Sequence, residues 1–215
     1  MKPTDARRFR LPMHDSINIQ YDMQHETAKT RSIMMNDKKM KFIASLFLSA
    51  LAAVVLYIIL HETGHTIVVL SAGAKMTEFS ILRAHVSYEG GDFTDFSDLW
   101  NHANGMFLPF VVCLVYGLLY NRNLKNTFYW LFSAVFSVIC FIQTLTWIVI
   151  PFFYEPGTDP RGEDVMKFLY NFAQNHSPML VTAGGAVIFA IGIAVMLRKG
   201  IIRNFMEEIK EAKNS

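Results

Sequence analysis

Residues 42–70 of the 215-residue chain read FIASLFLSALAAVVLYIILHETGHTIVVL, and this stretch decides the fold class. No charged side chain occurs between Phe42 and Leu60, and the apolar sequence resumes at Thr66, after the motif HETGH. At a helical rise of about 1.5 Å per residue, the run is longer than the roughly 20 residues that a bilayer core requires. It predicts one long or tilted transmembrane helix that ends near Gly73, a residue type common just after a helix C-terminus.

Three further apolar runs, at 106–120, 127–150 and 178–197, are bounded by polar residues. Each run contains or adjoins a proline, a residue that bends or ends helices and is favoured in the first turn of a helix. Pro109 is expected to bend the second span, Pro151 to end the third, and Ser177-Pro178 to begin the fourth. The sequence therefore predicts an all-α membrane protein with about four transmembrane helices.

The segments between the spans predict smaller elements. Residues 79–88 alternate and are closed by Gly90-Gly91, which indicates a strand or small hairpin after the first helix. Residues 151–163 are rich in proline and glycine and predict a loop, and 164–175 predict a short amphipathic helix before the last span. In that last span Gly184, Gly185 and Gly192 offer close helix contacts.

Charge predicts the topology. With both ends on the cytoplasmic side, sixteen of the 20 Lys and Arg residues lie inside, which is the positive-inside pattern. We expect an integral multi-pass protein of the cell membrane, with a polar cytoplasmic tail at 1–40, a membrane-embedded domain at 41–198 and a charged cytoplasmic tail at 199–215. The net charge of +2 and the absence of a basic stripe with interleaved aromatic residues exclude nucleic acid as an expected partner. The sequence does not predict an oligomeric state.

The HETGH motif predicts a zinc site within the first span. His61 and His65 are four residues apart, so on a helix both imidazoles project from one face. They and Glu62 are the only side chains between residues 42 and 70 that can carry a charge near neutral pH. Ionisable groups at membrane depth are costly unless they face a partner or a wet cavity. A structural histidine pair with a buried carboxylate is the plainer alternative.

These residue types at this spacing also predict a reaction. Two histidines bind zinc, zinc lowers the pKa of a bound water molecule, and Glu62 takes the proton and delivers it to the leaving amine. Substitution of Glu62 is therefore expected to abolish turnover and to spare metal binding.

A catalytic zinc site needs a third protein ligand. The two cysteines, Cys113 and Cys140, lie in apolar runs and are expected to pack as small hydrophobic residues. By residue type, the open candidates are Glu78, His85, Glu89, His102, Asp159 and Asp164.

A hydrophobic helix that ends in HETGH, followed by Ser71-Ala72-Gly73-Ala74, a strand-like stretch and the helix start Ala103-Asn104-Gly105, resembles the site-2 protease class of intramembrane zinc metalloproteases. The resemblance covers roughly residues 42–170 and implies an aspartate as third ligand. The chain lacks the L-D-G motif of that class. Its nearest counterpart is Gly162-Glu163-Asp164, so the resemblance implies Asp164 as the ligand, with Asp159 as the substitute.

Other polar residues have two interpretations each. Asn101 and Asn104, at the opening of the second span, are candidates to donate to a substrate carbonyl or its oxyanion, although helix capping is the commoner role. His85 and His102 are expected at the surface or interface and not as ligands. The strand at 79–88 is a candidate to hold an unwound substrate, which would pair with its edge as an additional strand. Proline at Ile81 or Val86 is expected to impair this pairing and therefore cleavage.

These features predict a zinc-dependent intramembrane endopeptidase that binds Zn²⁺ and cleaves a membrane-associated protein. The alternative is a non-proteolytic membrane protein that uses the histidines for metal transport or structure, or an inactive protease-like fold that binds a partner.

Overall fold

The computed structural model describes residues 13–157 and 162–214; within 13–36 it describes the backbone and the Glu26 side chain alone. Helix α1 runs Met13–Ser71, β1 Lys75–Ser80, β2 His85–Glu89, α2 Asp95–Leu119 and α3 Thr127–Val149. A 3-10 turn, Ile150–Phe153, is followed by α4 Asp164–Phe172, α5 Met179–Lys199 and α6 Ile201–Asn214. The predicted fold class is confirmed: the chain is mostly helical, with a small hairpin after the first helix.

Four helical segments in the described part of the chain are long and apolar enough to cross a membrane: Asp37–Ser71, Asp95–Leu119, Thr127–Phe153 and Met179–Lys199. Their number and order match the predicted spans, and they fit a multi-pass membrane protein. Helix α1 begins well before the first span, inside the segment predicted as a polar tail.

Helix α1 ends where the sequence predicts. Gly73 has a φ of +76°, its N–H donates to the Leu70 carbonyl oxygen at 3.1 Å, and the Ala74 N–H donates to that of Val69 at 3.2 Å. This is the Schellman arrangement that stops a helix at a glycine. The chain therefore turns sharply into the hairpin.

The hairpin is antiparallel, and Phe79 pairs with Val86. The sequence placed its turn at Gly90-Gly91, but the structure turns at residues 81–84, where Ala84 has a φ of +46°. The two glycines lead out of β2 instead, and the Asp92 N–H donates to the Ala72 carbonyl oxygen at 2.7 Å. This bond brings the end of the hairpin back beside the end of α1.

Helix α2 begins at Asp95, earlier than the predicted start after Asn101–Gly105. Thr94 is its N-cap, and Thr94 and Ser97 form a reciprocal capping box that starts the helix in polar sequence. Asn101 and Asn104 consequently lie inside the helix and do not cap it. The helix continues through Pro109 to Leu119.

The core lies between the spans. One cluster centres on Phe110, Phe141 and Trp147, where α2, α3 and α5 meet, and a second joins Ala53 of α1 to Phe136 of α3. Gly185 and Gly192 form the predicted close contacts, since a Cβ on Gly192 would overlap the Phe141 ring. Gly184 does not, because nothing lies within 4 Å of its Cβ position.

Helix α6 packs against the end of the bundle opposite the hairpin. Ile201 and Asn204 are buried, and the Asn204 amide donates at 3.0 Å to the Tyr120 hydroxyl and to the Arg122 carbonyl oxygen. The segment predicted only as a charged tail is therefore a docked amphipathic helix.

Candidate metal centre

Three side chains meet at the hairpin end of the bundle. Helix α1 supplies His61 and His65, and α4 supplies Asp164 from its first turn, 99 residues after His65. Asp164 Oδ2 lies 3.3 Å from His61 Nε2 and 3.1 Å from His65 Nε2, and the two Nε2 atoms are 3.3 Å apart. Among the side chains that the structure describes, this is the group of three His, Cys, Asp or Glu residues close enough to hold one metal ion.

The donor atoms fit a tetrahedral ion. Zinc bonds of about 2.0–2.1 Å at tetrahedral angles separate two ligand atoms by about 3.3–3.4 Å. The three measured separations, 3.1–3.3 Å, are close to that edge length. Two imidazoles and one carboxylate also form a donor set that zinc uses in catalytic sites, where a fourth position stays open.

The ring hydrogen bonds orient both imidazoles towards this point. His65 Nδ1 lies 2.8 Å from the carbonyl oxygen of Asn101, which can only accept, so Nδ1 carries the proton. Nε2 is then the nitrogen that faces Asp164, and a metal ion bound there would replace the proton that Nε2 donates to the carboxylate. His61 Nδ1 lies 3.4 Å from the Tyr57 hydroxyl, one helical turn earlier. Such outer partners are typical of metal-binding histidines.

Asp164 is ionised in this setting. Its burial raises the pKa, but hydrogen bonds from His61 and His65 outweigh the burial and hold the pKa well below its usual range. Lys167, one turn later on α4, places its Nζ 3.6 Å from the second carboxylate oxygen. The carboxylate is thus in the form that a metal binds.

Helix α4 holds Asp164 at the site through its own packing. Val165 and Leu169 are buried, and the Phe168 ring packs against Trp147 at a centroid distance of 5.2 Å. On the other side Asn171 Nδ2 donates to Asp98 Oδ2 of α2 at 2.6 Å. The amphipathic pattern of α4 therefore decides where the third candidate ligand lies.

Two glycines let α1 and α2 approach at the site. A Cβ on Gly64 would overlap the Asn104 carbonyl oxygen, and a Cβ on Gly105 would overlap His65 Nε2. The Asn104 amide donates to the Gly64 carbonyl oxygen at 2.7 Å. Asn104 is therefore engaged between the helices, whereas Asn101, the other asparagine predicted to face a substrate, lines the cavity.

Glu62 is 3% exposed, and its Oε1 lies 4.0 Å from His61 Nε2. It lines a cavity of about 490 Å³ together with all three candidate ligands. Val86 and Tyr88 of β2 form part of the opposite wall. A buried carboxylate, a triangle of candidate ligands and a strand thus line one cavity.

Comparison with protein-family models, with curated proteins and with solved structures finds no match to this chain. The site is therefore interpreted from its own geometry.

The other candidate ligands lie away from the triangle. His85 and His102 line the cavity but do not belong to the ligand group. Glu78 pairs with Arg83 on the hairpin at 3.7 Å, and Glu89 is exposed at the end of β2. Asp159 falls outside the described residues.

Sequence reasoning missed Tyr57 and the contact of Gly105 with both histidines. Tyr57 carried a usable signal, because it precedes His61 by four residues and so shares its helix face. The role of Gly105 had no such signal, since it depends on which helix crosses α1.

Proposed function

We propose that this chain is a zinc-dependent endopeptidase that hydrolyses a peptide bond of a membrane-associated protein at the hairpin end of its bundle. The observation that carries the proposal is the triangle of His61, His65 and Asp164 with edges of 3.1–3.3 Å, beside the buried Glu62. The resemblance of HETGH and Gly162-Glu163-Asp164 to site-2 proteases points to the same chemistry.

The residues have distinct roles. A bound zinc ion would supply Lewis-acid activation of water and of the scissile carbonyl group. Glu62 accepts a proton from the attacking water and passes it to the leaving nitrogen, a role that requires a carboxylate beside the ligands. His61, His65 and Asp164 would hold the ion, and the Asn101 carbonyl keeps His65 in the required tautomer.

The site lies within the part of α1 that is long and apolar enough to span a membrane. Water enters through the cavity, whose lining includes Gln143, Lys167 and His102. A polar cavity open at the hairpin end removes the cost of ionisable side chains at this depth.

The substrate is an extended segment held along β2. Strand addition would supply main-chain hydrogen bonds to an unwound peptide, and Val86 lies in β2 on the cavity wall. Val86→Pro is therefore expected to impair cleavage without loss of zinc. Ile81 lies in the turn and not in a strand, so Ile81→Pro serves as the comparison.

The decisive experiment measures metal content and hydrolysis together. Full-length protein in detergent micelles is stripped with a chelator, reloaded with zinc and given a panel of quenched fluorescent peptides with a single apolar span. Wild type is expected to bind one zinc ion and to cleave at least one peptide. Glu62→Gln should bind zinc equally and be inert, whereas the control Glu207→Gln on α6 should be fully active.

The possible results separate the classes of function. Hydrolysis by Glu62→Gln at the wild-type rate would refute the proposed role of the glutamate. Zinc bound at this site without hydrolysis of any peptide would favour the non-proteolytic alternative, a metal-binding protein that transports or stores the ion or binds a partner.

A further inference from the structure

One face of α2 lies directly over the ligand triangle. Gly105 contacts both imidazoles, and His102 precedes it by three residues, so His102 is about one turn further along the same face. The His102 side chain is 17% exposed and lines the cavity that holds Glu62 and Asp164. A third imidazole thus lies beside the space where a peptide would be cleaved.

Asp98 lies beside this imidazole, on the preceding turn of α2. Its Oδ1 lies 3.8 Å from His102 Nε2, and its Oδ2 accepts the 2.6 Å hydrogen bond from Asn171 of α4. The carboxylate is therefore fixed from a second helix. The imidazole of His102 carries an N–H in every protonation state, so it can act as a hydrogen-bond donor.

The other charged or titratable groups that act on His102 come from the elements packed against α2. Asp164 and Lys167 lie on α4 and His65 on α1, and all three line the same cavity as His102. The carboxylate beside the His102 ring is that of Asp98, at 3.8 Å.

Resting on the endopeptidase proposed above, we infer that His102, positioned by Asp98, donates a hydrogen bond to the carbonyl oxygen of the scissile peptide bond. When the water oxygen bonds to the carbonyl carbon, an electron pair moves onto the carbonyl oxygen. When the carbon–nitrogen bond breaks, that pair returns, and nitrogen leaves with the proton that Glu62 delivers. His102 keeps its donated proton throughout and stabilises the charge on oxygen through this hydrogen bond.

The test uses zinc-loaded full-length protein in micelles and a blocked Leu–Leu phosphinic pseudopeptide, whose tetrahedral phosphinate mimics the reacting carbon. His102→Ala should weaken phosphinate binding about 10- to 100-fold, in line with transition-state analogues and oxyanion donors. Zinc affinity should not change. His102→Gln, which retains a side-chain N–H donor, and Asp98→Asn should lie between His102→Ala and wild type.

The matched control is His176→Ala. His176 follows α4, packs against Phe172 and lines a different cavity, so its loss should leave phosphinate binding as it is in wild type. With a cleavable peptide, His102→Ala should lower kcat about 100-fold and change KM little, because the hydrogen bond strengthens only as charge develops.

Each outcome is decisive. Wild-type phosphinate affinity in His102→Ala, or loss of zinc from it, would overturn the inference. Full turnover by His102→Ala together with an inert Glu62→Gln would refute only the role of His102. A wild type that binds zinc but neither binds phosphinate nor cleaves peptide would instead refute the endopeptidase itself.

Discussion

Substitution of Gly105 by alanine tests whether the close crossing of α1 and α2 is required for the metal site. The added Cβ would overlap His65 Nε2 and would lie 2.8 Å from His61 Cε1. Two carbon atoms in ordinary contact are about 3.5–4.0 Å apart, so an imidazole must move by about 0.7 Å or more. Metal–ligand distances tolerate only about 0.2 Å of error.

The expected result is loss of metal binding with a smaller loss of stability. A displacement beyond that tolerance should weaken zinc binding at least about 100-fold, or about 2.7 kcal/mol. Overpacking of a helix contact costs about 1–3 kcal/mol of the free energy of unfolding. The protein should therefore still fold in micelles.

Zinc affinity is measured by competition with a chromogenic chelator, and thermal unfolding by circular dichroism. Gly184→Ala is the matched control, because Gly184 is also helical but has nothing within 4 Å of its Cβ position. It should bind zinc as wild type does and gain up to about 1 kcal/mol from helix propensity. Wild-type zinc affinity in Gly105→Ala would refute the packing and, with it, the placement of the ligands.

Three further predictions concern the same site. Gly64→Ala should lower the midpoint of thermal unfolding by an amount equivalent to about 1–3 kcal/mol, because its Cβ would meet the backbone of α2; an unchanged midpoint would argue against the contact. Tyr57→Phe should weaken zinc binding about tenfold, because it removes the hydroxyl beside His61 Nδ1. The control Tyr116→Phe, which loses a hydroxyl bonded to Ser133, should bind zinc as wild type does. Equal zinc affinities of the two variants would exclude a role for Tyr57 in metal binding. Asp164→Asn in the metal-free protein should unfold at a lower temperature than wild type at about pH 5–7, because hydrogen bonds from the two histidines lower the pKa of the carboxyl in the folded protein. The gap should close progressively as the pH falls below about 4 and the carboxyl takes up a proton. A gap independent of pH would contradict these hydrogen bonds.

The helices could be predicted from sequence because their signals are local. Charge-free runs, the glycine after α1 and the prolines near the later spans each act on their own segment. The start of α2 was misplaced by hydropathy, because the Thr94–Ser97 capping box begins the helix in polar sequence, before the apolar run. Capping depends on hydrogen bonds that hydropathy does not register.

The candidate site was predictable only in part, because one of its three candidate ligands depends on how two helices pack. His61 and His65 share a face by helical geometry alone, so their pairing needs no tertiary information. Asp164 is brought to them by the buried face of α4 and by the bond from Asn171 to Asp98. Residue type left several acidic and histidine candidates open, because nothing in the local sequence says where α4 docks.

His102 shows what such docking adds to a residue that local sequence assigned to the surface or interface. The same α2 face presents Gly105 to the histidines, His102 to the cavity and Asp98 to α4, at successive turns. The contact with the histidines requires the two helices to cross closely at Gly64 and Gly105. If the crossing is loosened, the ligand triangle and the proposed hydrogen bond from His102 should fail together, whereas His102→Ala should remove only the second. Comparison of zinc and phosphinate affinities in Gly105→Ala and His102→Ala therefore separates the architecture of the site from its chemistry.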